Sequence, residues 1–336
     1  MIKVAVDRDI PFLEERLHGK VELISLPDSE ITPEAVKDAD ALLVRTRTRC
    51  GAPLLAGSRV RFVATATAGE DHIDRRWCEA NGIEVVVSSG CNAPGVAQYA
   101  LSALLRTGFR PGVHTLGVVG KGNVGSIVAA WARQLGISVI VSDPPRAGRG
   151  LADEDYLPLD RLLAASDAVT FHVPLLCEGP FPTLKMLSGR NAGLLKPHTV
   201  VINAARGGVI DEKAVLDRIG DAGRLIVDTW ENEPLISLET LEKAFIATPH
   251  IAGYSLEGKQ RATRIILEGL SRRFGLDIDL NGLAPRFVDD GAMTLSRLLD
   301  SFDPFPEMRR LKDALTASPR AFDTVRNTYR YRPEPL

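Results

Sequence analysis

Residues 116–143, LGVVGKGNVGSIVAAWARQLGISVIVSD, leave this chain few folds to choose from. The apolar run Leu116-Gly117-Val118-Val119 has the unbroken hydrophobicity of a parallel strand covered on both faces. Gly120, Gly122 and Gly125 follow at GxGxxG spacing, with Asn123 and Val124 between the last two. Val124, Ile127, Val128, Trp131 and Leu135 then recur at steps of three and four, the period of a helix buried on one side. Gly136 stands where a left-handed C-cap closes such a helix. A second apolar run, Val139-Ile140-Val141, ends at Ser142-Asp143. Strand, glycine turn, helix and strand in this order form one βαβ unit of a parallel sheet.

Each glycine has a separate task in such a unit. Gly120 makes the tight turn, Gly122 lets a pyrophosphate reach the backbone, and Gly125 lets the helix pack close to the sheet. The unpaired N–H groups of the helix then face the phosphates. Asp143, at the end of the second strand, accepts from ribose hydroxyls and repels a 2′-phosphate, which favours NAD. Arg146 is near in sequence and can accept such a phosphate, so NADP stays as the alternative. GxGxxG alone is weak in a chain with 29 glycines; its setting between strand and helix carries the inference.

The length, 336 residues, suggests two domains and a small appendage. A net charge of −2 gives no general drive toward nucleic acid or anionic membrane, so any anion site is local. No apolar run approaches the roughly 20 residues of a membrane span. The N-terminus reads as a first strand without a signal-peptide core, and Cys50, Cys78, Cys91 and Cys177 lack metal or disulfide spacing. A cytoplasmic protein without a metal is the expectation.

Residues 1–92 alternate strands and helices, with strands expected at 3–6, 21–25, 41–44, 62–64 and 85–87. Thr32 and Pro33 read as the N-cap and N1 of a helix. The third strand runs into Arg45-Thr46-Arg47-Thr48-Arg49, where a continuing strand would put the three arginines on one face. After Asp143, strands are expected at 168–171, 200–203, 225–228 and 245–248, and helices at 185–194, 212–219 and 256–274. Residues past about 280 are proline-rich, with one helix expected at 307–315. The expected organisation is a substrate domain of residues 1–92 completed by 255–280, a dinucleotide domain of 93–254, and a C-terminal dimerisation region of 281–336.

Arg206, Glu233 and His250 each sit just past a strand of the dinucleotide domain, on the edge where parallel sheets bind ligands. An arginine clamps a carboxylate with two parallel hydrogen bonds. A histidine moves a proton near neutral pH, and a carboxylate beside it orients the ring. Glu231 competes with Glu233 for that last role. Together these groups meet the needs of hydride transfer from a 2-hydroxy acid.

The motifs GKGNVG, NAARGGVID, DTWENEP and TPHIAGYSLEG occur in the order found in NAD-dependent D-2-hydroxyacid dehydrogenases, which the chain resembles over residues 1 to about 275. The resemblance implies an α/β fold of two Rossmann-like domains with parallel sheets plus a small C-terminal dimerisation appendage. It implies catalytic roles for Arg206, Glu233 and His250. Cofactor contacts are implied at Gly120, Gly122, Asn123, Val124, Gly125, Asp143, Val173, Ala204, Ala205, Arg206, Asp228 and Gly253. Substrate contacts are implied at Thr46, Thr67 and Tyr254. A narrower signature, with ATATAGEDHID at 64–74, DPPRA at 143–147 and HIAGYSLEGK at 250–259, implies a branch oxidising 4-phospho-D-erythronate toward pyridoxal 5′-phosphate, as a homodimer. Other 2-hydroxy acids, such as phosphoglycerate or glycerate, and an NAD-sensing corepressor-like protein are the alternatives. The phosphate would need local cations: the arginines at 45, 47 and 49, or a tail arginine of a partner subunit, such as Arg326 or Arg330.

Overall fold

The computed structural model describes residues 1–150 and 155–335, which form two compact units. One comprises Met1–Asn92 and Leu256–Val288; the other comprises Ala93–Ser255 and Asp289–Leu336. The C-terminal residues therefore do not stand apart. Most of them pack into the second unit, where Leu311, Leu315 and Phe322 join its core.

The first unit is built on β1 (Lys3–Asp7), β2 (Glu22–Leu26), β3 (Ala41–Val44), β4 (Phe62–Thr65) and β5 (Glu84–Val87). They form one parallel sheet in the order β2-β1-β3-β4-β5. β3 and β4 are buried at every position, which is why they read as unbroken apolar runs. Thr32 caps the helix Pro33–Val36 by accepting from the Ala35 N–H at 3.3 Å. β3 stops at Val44, so strand alternation does not govern residues 45–49. Arg45 instead pairs with Asp7 and Asp9, and Arg47 with Asp28.

The second unit holds β6 (Thr115–Val119), β7 (Ser138–Ser142), β8 (Ala168–Phe171), β9 (Val200–Asn203), β10 (Arg224–Val227) and β11 (Ile246–Ala247). All six are parallel, in the order β11-β10-β9-β8-β6-β7. The chain thus forms two Rossmann-like α/β units. β6 has β7 on one side and β8 on the other, so the strand order reverses there, which opens a crevice at its carboxyl end. The helix Asn123–Gln134 ends in a Schellman closure: Gly136, at φ +76°, donates to Arg133, and Ile137 donates to Ala132.

Two expectations fail. Residues 185–194 are not a helix apart from a single 3₁₀ turn at Ala192–Leu194. Lys185 takes φ +51°, and Leu187 accepts from Asp211 N–H and bridges to Ile210, so this backbone is satisfied across the chain. The tail has three helices instead of one: Leu295–Ser301, Phe305–Ala317 and Phe322–Asn327. Among the described residues no helix is long and apolar enough to cross a membrane.

Candidate active site

The turn after β6 leaves no room for side chains at two of its glycines. Gly120 adopts φ +87°, and a Cβ on it would lie 2.5 Å from the His172 carbonyl oxygen. A Cβ on Gly125 would lie 1.9 Å from the Gly120 carbonyl oxygen, so helix and turn touch backbone to backbone. A Cβ on Gly122 would meet nothing within 4 Å; this is the open face of the turn, where a pyrophosphate can approach. Asn123 and Val124 begin the helix. Val173 stands against Gly120 from the end of β8. Asp143 is half-buried and accepts from the backbone N–H groups of Lys121, at 2.7 Å, and Arg146, at 3.0 Å. The Arg146 guanidinium is held by the Lys121 carbonyl and the Tyr156 hydroxyl. This cradle fits a dinucleotide.

The polar groups of the site converge on the ends of β9, β10 and β11. His250 Nδ1 lies 2.8 Å from Glu233 Oε2. Glu233 Oε1 also accepts from the Trp230 N–H at 2.8 Å. Burial would raise the Glu233 carboxyl; the charge and hydrogen bond of His250, the Trp230 N–H and nearby Arg326 outweigh burial and hold it below its ordinary value. Glu231 is engaged elsewhere: it pairs with Lys185, and its N–H donates to the buried Glu212. The carboxylate that orients the histidine is therefore Glu233.

Asp228 organises the loop that bears His250. It is 0% exposed, and its oxygens accept from the Thr248 hydroxyl and from the Ile251 and Ala252 N–H groups, at 2.7–2.8 Å. Burial raises its pKa, against the lowering effect of His250 and these hydrogen bonds. The Thr248 hydroxyl continues to the Tyr99 hydroxyl at 2.6 Å, on the helix Ala93–Leu105. His250 takes φ +58°, a conformation uncommon outside glycine, and the flanking bonds to Asp228 hold it there.

Ala204, Ala205 and Arg206 follow β9. Asn203 fastens them: its amide group donates to the Arg206 and Thr229 carbonyls, and its oxygen accepts from the Ala205 N–H. A Cβ on Gly207 would lie 1.8 Å from the Trp230 carbonyl oxygen, so the loops after β9 and β10 also meet backbone to backbone. Arg206 is half-buried and donates to the Ala205 carbonyl at 2.8 Å.

Gly253 and Tyr254 complete the loop after His250, and the tail clasps it. Arg332 is buried and donates to the carbonyls of Gly95, Ile251, Ala252 and Tyr254 and to the Gln98 side chain. Ser255 bridges to Arg332 as in a parallel sheet and donates to Glu334. Tyr254 packs edge-on to both Tyr329 and Tyr331, and its hydroxyl accepts from Arg326 Nε at 3.1 Å. Asn203, Thr248 and Trp230 escape sequence reading, as does the bracing role of Arg332, a residue the family resemblance places only in the dimerisation region; a buried polar residue at a strand end is the signal available for Asn203 and Thr248.

In the first unit, the Thr67 hydroxyl lies 2.7 Å from the Thr65 hydroxyl and donates to the Gly69 carbonyl, while Thr65 meets His72 at 3.1 Å. Burial, the largest influence, lowers the His72 pKa despite nearby Asp71 and Glu70. Thr46 is exposed, just beyond β3.

Residues 104–252 match the family model described as D-isomer specific 2-hydroxyacid dehydrogenase, NAD binding domain. The erythronate-4-phosphate dehydrogenase of Bacteroides fragilis is 42% identical, over 99% of this chain and 97% of its own length. That of Escherichia fergusonii is 40% identical, over 99% and 92%. Among solved structures, D-lactate dehydrogenase from Aquifex aeolicus, complexed with NAD and lactic acid, superposes with a TM-score of 0.66 at 24% identity, covering 81% of this chain and 96% of its own. NAD-bound 3-phosphoglycerate dehydrogenase of Entamoeba histolytica gives 0.67 at 24%, covering 85% and 99%. The chain is an NAD-dependent oxidoreductase with NAD as its cofactor. It belongs to the erythronate-4-phosphate dehydrogenases, a branch of the D-isomer-specific 2-hydroxyacid dehydrogenases.

Proposed function

We propose that this protein oxidises 4-phospho-D-erythronate to 2-oxo-3-hydroxy-4-phosphobutanoate in the route to pyridoxal 5′-phosphate. The observation that carries the chemistry is the 2.8 Å contact between His250 Nδ1 and Glu233. With Nδ1 committed to the carboxylate, Nε2 is the nitrogen that takes the proton of the substrate 2-hydroxyl. Glu233 stabilises the imidazolium that results and keeps the ring aimed. Arg206 holds the substrate carboxylate through its planar fork. NAD, when bound, supplies the acceptor for the hydride leaving C2. The turn 120–125 and Asp143 would hold its pyrophosphate and adenosine ribose, and Val173, the 204–206 backbone, Asp228 and Gly253 would be its further contacts by family resemblance. Thr46, Thr67 and Tyr254 are the proposed substrate contacts on the same ground. A cytosolic homodimer is the proposed working form, which sedimentation tests.

The decisive assay supplies 4-phospho-D-erythronate with 2-oxoglutarate as a second hydride acceptor and follows both products, so turnover registers whether or not the cofactor leaves. No product from either acid sinks the dehydrogenase reading. Product from phosphoglycerate or glycerate but not from 4-phospho-D-erythronate reassigns the substrate. The substitution Arg206→Ala is expected to lower kcat/KM on the order of 1000-fold, as loss of a transition-state clamp does, while NAD affinity in a calorimetric titration stays nearly intact. Unchanged turnover removes Arg206 from the mechanism.

A further inference from the structure

Two of the arginines that the sequence offers for the substrate phosphate, Arg45 and Arg47, have other partners. Arg45 lies 2.9 Å from the buried Asp7 and 2.6 Å from Asp9, and Arg47 faces Asp28. In the second unit Arg326, which the sequence offers only as a partner subunit's residue, stands near the catalytic Glu233 of its own chain. Arg326 belongs to the short helix Phe322–Asn327, anchored by the buried Phe322 and Val325. Its Nε donates to the Tyr254 hydroxyl at 3.1 Å, and its guanidinium carbon lies 5.8 Å from the centre of the Tyr254 ring. Tyr254 is itself packed edge-on to Tyr329 and Tyr331. The two terminal nitrogens of Arg326 have no hydrogen-bond or ion-pair partner among the described residues. Arg326 is close enough to Glu233 to help depress that carboxyl, yet forms no ion pair with it.

Burial works against the Arg326 charge, but Tyr254, Glu233 and Asp323 outweigh it and hold the pKa above its ordinary value, so the guanidinium stays charged while its terminal nitrogens lack a partner among the described residues. Its outer edge is a fork of N–H donors at phosphate spacing, and the tyrosine contact fixes its orientation before any ligand arrives. We propose that Arg326, oriented by Tyr254, recognises the terminal phosphate of the substrate, so that the C-terminal segment sets specificity within the chain that performs the chemistry. This rests on the proposed substrate and on Arg206 taking the carboxylate at the other end.

The test uses the NAD-loaded full chain as wild type, R326Q and R326K, each assayed with 4-phospho-D-erythronate and with D-erythronate. The readout is the phosphate preference, the ratio of the two kcat/KM values. In R326Q the preference is expected to fall on the order of 100-fold, mainly through KM for the phosphorylated acid. R326K should recover part of it, since the charge returns without the fork. Calorimetric titration with 4-phospho-D-erythronate should show the same order of affinities, and R326K carries the test if R326Q does not fold. An R326Q enzyme that keeps the wild-type preference, or loses equally on both acids, overturns the role of Arg326 alone. A wild type that oxidises neither acid overturns the proposed function and this inference together.

Discussion

The turn at 120–125 is held by its near neighbours in sequence and by the end of β8, which lies beside β6 in the sheet. Gly125 touches Gly120, and Gly120 touches the end of β8. The loop at 250–255 is held from far along the chain. Asp228 takes its N–H groups, and Arg332 takes its carbonyls from 78 to 81 positions away. The first region binds by backbone, so its requirement is space, and glycine supplies it. The second must aim an imidazole, so it is braced on its donor side by a buried carboxylate and on its acceptor side by a buried guanidinium. Cofactor binding can thus be written in one short stretch, whereas proton transfer needs residues from most of the second unit.

Breaking the first region should have the larger effect. In Gly125→Ala a methyl group would fall 1.9 Å from a carbonyl oxygen, a contact that only backbone movement relieves. A cost on the order of 5 kcal/mol is expected, with loss of NAD binding in a calorimetric titration. Normal NAD affinity and melting temperature would show that the turn has slack the contact denies. Arg332→Met should cost less, roughly 4 kcal/mol, by leaving several buried carbonyls without a donor. Here the expected signature is a fall in kcat with NAD affinity retained, because the glycine turn is untouched. A variant with wild-type kcat and stability would reduce the tail to an appendage and erase the contrast.

The same contrast explains what the sequence made legible. The glycine turn could be read because its strand, glycines and helix lie in one contiguous pattern, although Gly120 also packs against the end of β8. Glu233 and His250 could be nominated because each follows a strand; spacing alone left Glu231 as a rival, family resemblance chose Glu233, and the physical reason is that Lys185 and Glu212 occupy Glu231. Residues 185–194 were misread because apolar spacing looks alike in a helix and in a segment paired with another loop. The bracing role of Arg332 could not be read. Its partners Gln98 and Gly95 lie 234 and 237 positions away, and nothing local separates it from a surface arginine.

The smallest effect tests the hinge between the two designs, the Glu233–His250 pair. Glu233 has a folded-state pKa below its ordinary value, burial being outweighed by His250, its hydrogen bond, the Trp230 N–H and Arg326. A depressed carboxyl contributes stability that is present above its unfolded pKa and lost as pH falls through the folded one. Glu233→Gln removes a charge-assisted hydrogen bond worth about 2 kcal/mol. Wild type should therefore exceed the variant in stability at neutral pH. The gap should close on acidification below the usual glutamate range, as the wild-type carboxyl is protonated too. Chemical denaturation at a series of pH values measures this gap. A constant difference from neutral to strongly acid pH would mean that Glu233 acts through shape alone, and that the loop at 250–255 is aimed by Asp228 and Arg332 without help from the charge on its partner.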